Sequence, residues 1–513
     1  MANKQTADVL IVGAGPTGST LGVDLARRGV KVRIIDRNPQ SFPGSRAKGI
    51  QPRSMEVLED LGAIEDILSA GSIYPPLGIH IGPIRVPKKM MKIASATDAV
   101  PYPNTWLIPQ FSTDAIIQRQ LAPWGVQVEH NTQLVSLTQD DAGVTAIIDG
   151  PDGAVTERFQ YVVGADGGSS KVRQQLDIAF PGKTDESDRM IIVDCKVEGL
   201  GRNHWHVWPW LKGAFAGACP LPNSDLFQVM IRLKPGEEPK LDAASLNTRW
   251  AKQTGSSRFR LYDIQWTTVF RPNIRLAERY GRGRVFLAGD AAHVHTPMGA
   301  QGMNTGIQDA YNLGWKLGQV LAGAPADLLN SYEDERQPIA AGVLGVSTAK
   351  YEALGKLDPS AISRGKDEQQ LSITYRAGPL GALEQEGSDK LRPGDRAPDA
   401  RLQDTTGKPT RLFEALRGPH FTLLAYGPGA AADLAAVAWA GQGAPLKRVA
   451  IDAGPGAFSD LCLADAAGSF REGYGVDQSV LLLIRPDGYI ATFAVHDRVA
   501  TIENFAARVT AQA

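Results

Sequence analysis

Three glycines in GAGPTG follow an apolar run near the start of the chain and precede a helical pattern. Gly13 allows a tight turn, Gly15 lets the backbone approach a pyrophosphate, and Gly18 permits close packing of helix on strand. A helix that begins here directs free N–H groups and its positive dipole end at phosphates. Asp36 ends the next apolar run, where a carboxylate accepts hydrogen bonds from a ribose diol, and Arg37 follows it. These features predict a dinucleotide site.

Two later motifs also place polar residues where apolar runs end. In YVVGADGGSSKVR, Asp166 follows a strand pattern and two serines can cap a helix, so this motif alone favours an ordinary strand–helix turn. In GRVFLAGDAAHVHTPMGAQGMN, Gly289 and Asp290 end a strand, and the Asp290 carboxylate suits a ribityl hydroxyl group. A helix that begins near Gly302 and Asn304 can direct backbone N–H groups at a developing anion.

In this order the motifs resemble those of the single-component FAD-dependent aromatic hydroxylases, the class A flavoprotein monooxygenases of the para-hydroxybenzoate hydroxylase and phenol hydroxylase kind. The resemblance covers about residues 8 to 350 and includes SRAKGIQPRSMEVLEDLG and YEDERQP. It implies extended FAD, with Arg46 and Gln110 beside its phosphate and ribityl chain and Asp166 contacting both FAD and nicotinamide. The predicted cofactor-binding residues are Gly13, Gly15, Gly18, Asp36, Arg37, Arg46, Gln110, Asp166, Gly289, Asp290, Pro297, Gly299, Gly302, Met303 and Asn304.

The resemblance also implies a reaction. NADPH (or NADH) docks transiently, which agrees with the single dinucleotide fingerprint, and reduces FAD when an aromatic substrate is bound. O2 then gives the flavin 4a-hydroperoxide, which hydroxylates an electron-rich, phenolic or polycyclic aromatic ring. Met303 and Asn304 would flank the pyrimidine end of the flavin. The sequence assigns no catalytic side chain for removal of the phenolic proton.

The elements that must position these residues form an α/β protein in three parts. We predict a Rossmann-type FAD-binding domain with an inserted, mostly antiparallel β-sheet substrate domain, because strand patterns dominate about residues 189 to 268. The final part resembles the thioredoxin-like domain of the phenol hydroxylase branch but lacks CxxC. The predicted boundaries are 1–73, 104–188 and 269–354 for the FAD-binding domain, 74–103 and 189–268 for the substrate domain, 355–390 for a linker and 391–513 for the thioredoxin-like domain.

Aromatic residues of the middle strands are candidates to line a substrate cavity between this sheet and the flavin. The tryptophan-rich run HWHVWPW is equally compatible with the ordinary packed face of a sheet. The predicted substrate-binding residues are Trp205, Trp208, Trp210, Phe215, Phe227, Met230 and Trp266.

Composition restricts the remaining alternatives. A formal charge of -1 over 513 residues argues against a nucleic-acid partner. No apolar run predicts a membrane span or signal peptide, and three scattered cysteines without CxxC fit a reducing cytoplasm. The pairs His204/His206 and His293/His295 lack a third ligand pattern, so no metal is predicted. A homo-oligomer formed through the C-terminal domain is a further expectation.

Other functions share these motifs. A relative could insert oxygen into a ring ketone in a Baeyer–Villiger reaction or inactivate an aromatic antibiotic. A flavin dehydrogenase or oxidase would have the same fold without productive O2 activation. A flavoprotein binding module that acts in assembly is the non-enzymatic alternative, and the nearly complete flavin loop argues against it.

Overall fold

The computed structural model describes residues 7–209, 215–296, 300–355, 367–381, 386–439, 441–453 and 458–511. Its strands, in chain order, are β1 (Val9–Val12), β2 (Val32–Ile35), β3 (Gly49–Ile50), β4 (Ser72–Ile73), β5 (Leu77–Ile81), β6 (Ile84–Lys88), β7 (Trp106–Leu107), β8 (Val128–Glu129), β9 (Gln133–Asp140), β10 (Gly143–Gly150), β11 (Gly153–Phe159), β12 (Tyr161–Gly164), β13 (Gly182–Thr184), β14 (Met190–Glu198), β15 (Trp205–Pro209), β16 (Phe215–Pro220), β17 (Phe227–Arg232), β18 (Arg260–Phe270), β19 (Asn273–Leu276), β20 (Gly281–Arg282), β21 (Val285–Leu287), β22 (His293–Val294), β23 (Arg401–Asp404), β24 (Pro409–Arg411), β25 (Phe421–Tyr426), β26 (Leu446–Ile451), β27 (Leu461–Ala464), β28 (Val480–Ile484) and β29 (Ile490–Ala494).

The helices alternate with these strands in the first and last parts of the chain. They are α1 (Pro16–Ala26), α2 (Pro52–Asp60), α3 (Ile64–Ala70), α4 (Gln110–Arg119), α5 (Lys171–Gln175), α6 (Ala243–Thr254), α7 (Gly302–Leu321), α8 (Asn330–Gly355), α9 (Leu412–Leu416), α10 (Ala431–Ala436), α11 (Ser469–Tyr474) and α12 (Arg498–Val509). Within the described ranges, none of them combines the length and apolar character needed to cross a membrane.

A six-stranded sheet, in the order β20-β21-β12-β1-β2-β8, carries the glycine motif. β1 pairs in parallel with β2 and β12, and β12 pairs in parallel with β21. Because parallel strands share one carboxyl edge, the loops after β1, β12 and β21 lie side by side there. The turn after β1 allows α1 to pack against α7. The fold therefore brings the three motifs together at one edge of the sheet.

The middle of the chain forms a seven-stranded sheet in the order β18-β14-β17-β16-β15-β5-β6. We call it the substrate sheet. Its pairs are antiparallel except for β15 with β5. The strand patterns predicted at about residues 189 to 268 are strands in the structure, whereas α6 was not predicted. Trp250 of α6 is fully buried and packs against the sheet. The apolar side of α6 therefore covers one face of the sheet.

The C-terminal part contains a second seven-stranded sheet, in the order β24-β23-β27-β26-β25-β28-β29. β26 pairs in parallel with β25 and β27, and the other pairs are antiparallel. The described range 367–381 of the predicted linker contributes buried side chains, although the linker is polar in composition. Tyr375 within it is 3% exposed, and its hydroxyl accepts a hydrogen bond of 2.9 Å from Arg336 of α8.

One predicted helix is divided in two. The apolar pattern from about Arg53 to Leu68 predicts a continuous helix, but α2 ends at Asp60 and α3 begins at Ile64. Gly62 lies between them with φ +80°, a conformation that glycine adopts without strain. The left-handed turn redirects the chain, which a periodic apolar pattern alone does not reveal.

Candidate functional site

The glycine loop after β1 has the geometry that its sequence predicts. Gly13 has φ +104°, and a Cβ there would lie 2.3 Å from the Ala165 carbonyl oxygen of the neighbouring loop. A Cβ at Gly18 would lie 1.9 Å from the Gly13 carbonyl oxygen. Gly15, by contrast, faces open space with no atom within 4 Å. Two of the glycines therefore allow close packing, while the third leaves the approach to the start of α1 clear.

Asp36 lies at the carboxyl end of β2 and is held beside this loop. One carboxylate oxygen accepts a hydrogen bond of 2.9 Å from the Ala14 backbone N–H. The other accepts two hydrogen bonds of 2.8 Å from the backbone and side chain of Asn38. Arg37, next in sequence, is exposed. The carboxylate is fixed in orientation and remains partly accessible to a ligand.

Asp290 lies in the turn that follows β21. Its side chain is accessible to solvent, yet enclosure by protein raises the pKa of its carboxyl group. The positive charge of Arg46, which lies within electrostatic reach, opposes this rise in pKa. Within the described part of the chain, no group donates a hydrogen bond to Asp290. Gly289 beside it has φ +63°, and a Cβ there would lie 2.5 Å from the Thr17 hydroxyl oxygen of α1.

Asp166 combines a structural contact with an open one. Its Oδ2 accepts hydrogen bonds from the backbone N–H groups of Lys171 (2.7 Å) and Val172 (3.2 Å), and so caps α5. Ser170 caps the same helix by accepting from Arg173 at 3.0 Å. The other Asp166 oxygen is buried without a hydrogen-bond partner among the described residues, and burial raises the pKa of the carboxyl group. The capped strand–helix turn predicted before α5 is therefore present, and the second carboxylate oxygen of Asp166 has no hydrogen-bond partner among the described residues.

The start of α7 faces the same edge of the sheet. Among the described residues, the side chain of Gln301 at the start of this helix makes no capping hydrogen bond, and backbone N–H groups of an uncapped first turn suit a ligand. Asn304 is fully buried, and its amide binds the strand that follows the Arg46 loop, accepting from Gln51 N and donating to Gly49 O, both at 2.8 Å. The side chain of Asn304 is thus structural, and only its backbone can contact a cofactor.

A buried ionic chain supports this loop and was not predicted. Asp309 of α7 accepts a hydrogen bond of 2.7 Å from Arg336, of 2.6 Å from His293 and of 3.1 Å from the Gly289 backbone N–H. His295 then bonds to His293 at 2.8 Å between ring nitrogens. The second predicted histidine pair is thus part of a hydrogen-bonded chain. Arg336 belongs to the YEDERQP motif. The sequence therefore pointed to this residue but not to its role in the buried hydrogen-bond network.

Asp114 of α4 is another residue near these loops that the sequence analysis did not identify. Gln110 accepts a hydrogen bond of 3.3 Å from Ala47 N, beside Arg46, and its amide N–H is 3.4 Å from Asp114 Oδ2. Asp114 is 1% exposed, and burial raises its pKa to about 8, with a further contribution from Asp36. A polar residue one turn after Gln110 on an otherwise apolar helix face is the signal that could have identified it.

The substrate sheet presents two faces, and they divide the predicted aromatic residues. Trp208 and Phe227 are 2% exposed on the face that α6 covers; Trp208 packs edge to face on Trp250 with ring centroids 5.1 Å apart. These two are core residues, so the prediction that they line a cavity next to the flavin is wrong. Strand alternation sends neighbouring residues to opposite faces, and the sequence does not indicate which face is covered.

The remaining residues lie on the face turned toward the cofactor-binding loops. Trp266 packs against Phe42 with ring centroids 5.1 Å apart, and Trp205 lies 6.0 Å from Tyr74. Phe215 and Met230 flank Gly217, where a Cβ would lie 3.3 Å from each. The predicted residues Trp210, Pro297 and Gly299 lie outside the described residues.

An open groove of about 670 Å³ runs along the seam between this sheet and the small sheet formed by β3, β7 and β4. It is lined by Gly71, Ser72, Ile73, Pro75, Leu107, Arg202, Pro220, Leu221, Pro222, Asn223, Ser224 and Asp225. Its volume is that of sites for drug-sized molecules.

The described residues fit FAD. The uncapped starts of α1 and α7 suit a pyrophosphate and an anionic ring edge, and the clear approach at Gly15 suits a close backbone contact. The carboxylates of Asp36 and Asp290 suit the ribose and ribityl hydroxyl groups. No group of three or more metal-ligating side chains is found in the described ranges.

Comparison with known proteins gives the same result. The FAD binding domain family model matches residues 6–347, and the aromatic-ring hydroxylase C-terminal model matches residues 390–513. The chain is 38% identical to a flavin-dependent monooxygenase of Mycobacteroides abscessus, over 98% of this chain and 99% of that protein. It is 34% identical to 12-dehydrotetracycline 5-monooxygenase/anhydrotetracycline 6-monooxygenase of Streptomyces rimosus, over 94% of each.

The solved structure of aklavinone-11 hydroxylase with FAD and aklavinone superposes with a TM-score of 0.82 at 29% identity, and covers 99% of each chain. These matches span both the cofactor-binding loops and the C-terminal sheet. The chain belongs to the FAD-dependent aromatic-ring hydroxylases, a family of flavoprotein monooxygenases with a mixed α/β fold.

Proposed function

We propose that this protein hydroxylates a polycyclic phenol, with NADPH or NADH as transient reductant. The observation that carries the proposal is the broad aromatic face of the substrate sheet, with Trp205, Phe215 and Trp266 turned toward the cofactor-binding loops. The relatives named for anhydrotetracycline and aklavinone support the size of the substrate. FAD, when bound, activates O2 and delivers one oxygen atom to the ring. The protein must orient that ring and exclude water.

We propose roles for the cofactor-binding residues on the geometry above. Asp36 would bind the adenosine ribose, because hydrogen bonds hold its carboxylate beside the glycine loop. Asp290 would bind the ribityl chain, because its carboxylate is solvent-accessible at the same sheet edge. Arg46, near Asp290, would lie beside the phosphates. Asp166 would use its unpartnered oxygen toward FAD or the nicotinamide. The remaining predicted residues that the structure describes, Gly13, Gly15, Gly18, Arg37, Gln110, Gly289, Gly302, Met303 and Asn304, would form the surrounding cradle.

The domain division is proposed in the same way. The six-stranded sheet draws strands from 1–73, 104–188 and 269–354, which supports a discontinuous Rossmann-type domain. The substrate sheet draws on 74–103 and 189–268, which supports an inserted domain. The parallel and antiparallel pairs of the last sheet support a thioredoxin-like domain at 391–513, which has Cys462 as its one cysteine. Homo-oligomer formation through it remains part of the proposal.

The test is oxidation of NADPH and NADH by the purified holoenzyme with anhydrotetracycline, aklavinone and simple phenols, under ¹⁸O2. We expect a polycyclic phenol to stimulate flavin reduction and to gain one ¹⁸O atom. Stimulated reduction with H2O2 as the sole oxygen product would support the dehydrogenase or oxidase alternative. A flavin that neither nicotinamide reduces with any compound would overturn both enzyme functions.

A further inference from the structure

Lys48 lies where the cofactor-binding segment meets the substrate sheet. Two residues earlier, Arg46 lies within electrostatic reach of Asp290; one residue later, the Gly49 carbonyl oxygen accepts a hydrogen bond of 2.8 Å from the Asn304 side-chain amide. The Lys48 carbonyl itself accepts a hydrogen bond of 2.9 Å from the Tyr74 hydroxyl. The backbone of Lys48 is therefore fixed close to the start of α7, and its side chain can reach only a limited region.

The side chain extends to the substrate sheet. Its ammonium donates a hydrogen bond to the Gln228 side-chain oxygen and lies 4.6 Å from the centre of the Trp205 ring. Its charge also acts on the pKa of Cys219 and of Asp194, opposing the rise that burial causes in both. The cation thus contacts β15 and β17 and lies within electrostatic reach of β14 and β16.

The surroundings of this cation are largely apolar and aromatic. A cluster of buried side chains adjoins it, formed by Tyr74, Leu77, Met90, Leu107 and Cys219, with Trp205 packed against it. The indole N–H of Trp205 is buried and has no hydrogen-bond partner among the residues that the structure describes. An ammonium group and an indole N–H beside an apolar, aromatic surface are suited to a flat ring system with an oxygen at its edge.

The carboxylate near Lys48, that of Asp194, accepts hydrogen bonds from Ser45. Asp194 is fully buried, and its two oxygens accept hydrogen bonds from the Ser45 backbone (2.6 Å) and hydroxyl (2.5 Å). Gln228 also donates to Ser45, at 2.8 Å to the hydroxyl. Asp194 and Gln228 therefore fix the loop that carries Arg46 and Lys48 on the substrate sheet, so the position of the ammonium is set by both the cofactor side and the substrate side.

We propose that Lys48 is a substrate-binding residue whose ammonium group binds an anionic ring oxygen of an acidic polycyclic phenol, with the Trp205 indole N–H as a second donor. The inference rests on the proposed function and narrows its substrate to phenols that bind as their conjugate base. The phenol releases its proton to solvent before or on binding, and the bound phenolate is the more electron-rich ring. A hydrogen bond to a charged group discriminates strongly against a neutral analogue.

The test uses binding alone. Oxidised holoenzyme is titrated with alizarin, an acidic dihydroxyanthraquinone, and with its 1,2-dimethoxy ether, which cannot ionise, and visible absorbance gives each Kd. We expect wild type to prefer alizarin. Lys48→Met should weaken alizarin binding about tenfold or more and change binding of the ether about twofold or less, because only the phenolate loses a charged hydrogen bond. Lys48→Arg should restore most of the preference.

Lys89→Met is the matched control, since Lys89 is an exposed lysine of the same chain, and it should leave both Kd values unchanged. Equal losses for both ligands in Lys48→Met would show a packing role and overturn the inference. So would an unchanged preference, or a wild type that binds neither ligand. A preference that depends on Lys48 without ring hydroxylation under ¹⁸O2 would instead contradict the proposed function and leave this inference standing.

Discussion

Asp290, in the cleft proposed to bind FAD, is solvent-accessible, whereas Glu335, in the seam between α8 and the C-terminal sheet, is buried, and the pKa values of the two carboxyl groups move in opposite directions. Glu335 accepts hydrogen bonds from Arg485 (2.7 and 2.9 Å) and Lys316 (2.8 Å). Burial raises its pKa, but these cations overcome that effect and lower it to about 2. Asp290 accepts no hydrogen bond from the described residues, and enclosure raises its pKa.

The opposite pKa directions distinguish a buried interface, the seam, from a proposed ligand-binding site, the cleft. In the seam, charged side chains pair across elements: Glu335 with Arg485 and Lys316, and Glu56 of α2 with Arg396. Buried charges that are paired and hydrogen-bonded make one arrangement of two surfaces specific. In the cleft, one oxygen of Asp166 is buried without a donor within the described ranges, and the solvent-accessible Asp290 accepts no hydrogen bond from them. A buried oxygen without a donor is costly unless a ligand satisfies it, as a hydroxyl group of FAD would.

The largest expected effect is a loss of stability when the buried ionic network of the seam is broken. Glu335→Ala leaves Arg485 and Lys316 buried without their shared carboxylate, and loss of one partner from a buried ionic network costs about 3–5 kcal/mol. We expect the free energy of unfolding, measured by urea denaturation, to fall by about that amount. Glu198→Ala is the control, because Glu198 is exposed and paired with an exposed arginine. A loss no larger than in that control would contradict the distinction.

A smaller effect, of another kind, is expected in the cleft. Asp290→Ala removes the acceptor proposed for the ribityl hydroxyl groups, and a hydrogen bond to a charged group contributes about 1.5–3 kcal/mol. The Kd for FAD, measured by flavin fluorescence, should rise about tenfold to a hundredfold. Unfolding of the FAD-free protein should be unchanged or shifted to higher denaturant. Full flavin content and turnover in this variant would show that the cleft is placed wrongly.

The smallest effect is a difference in pH dependence. The lowered pKa of Glu335 means that its stabilising contribution is present above its ordinary value of 4.5 and is lost as pH falls through about 2. The raised pKa of Asp290 has the opposite sign: above 3.8 the folded state binds more protons than the unfolded state, so stability falls as pH rises.

Urea denaturation of the FAD-free protein across acidic pH tests both signs. Glu335→Gln should remove part of the loss of stability in acid, and Asp290→Asn should remove part of the loss as pH rises. If the two substitutions changed the slope of stability against pH in the same direction relative to wild type, the electrostatic assignment would be contradicted.

The three turns proposed to bind FAD could be predicted because their signals are local. GAGPTG, ADG and AGD each place a turn directly after an apolar strand, and parallel strands bring their carboxyl ends to one edge. Asp114, Asp309 and Lys48 could not be found in this way. Their surroundings come from segments far apart in the chain, as in the contact of Lys48 with Gln228. The division at Gly62 was missed because one left-handed residue does not disturb an apolar period.

The sequence alone determined the order of the strands and turns, the three cofactor loops and the alternation of the substrate sheet, because each depends on residues a few positions apart. The tertiary structure decided which face of that sheet meets the cofactor: Trp205 lies toward Lys48, whereas Trp208 lies under α6. It also decided which buried carboxylates are satisfied. Both outcomes depend on which distant side chains arrive at the same place, and electrostatic and packing energies are set by that proximity.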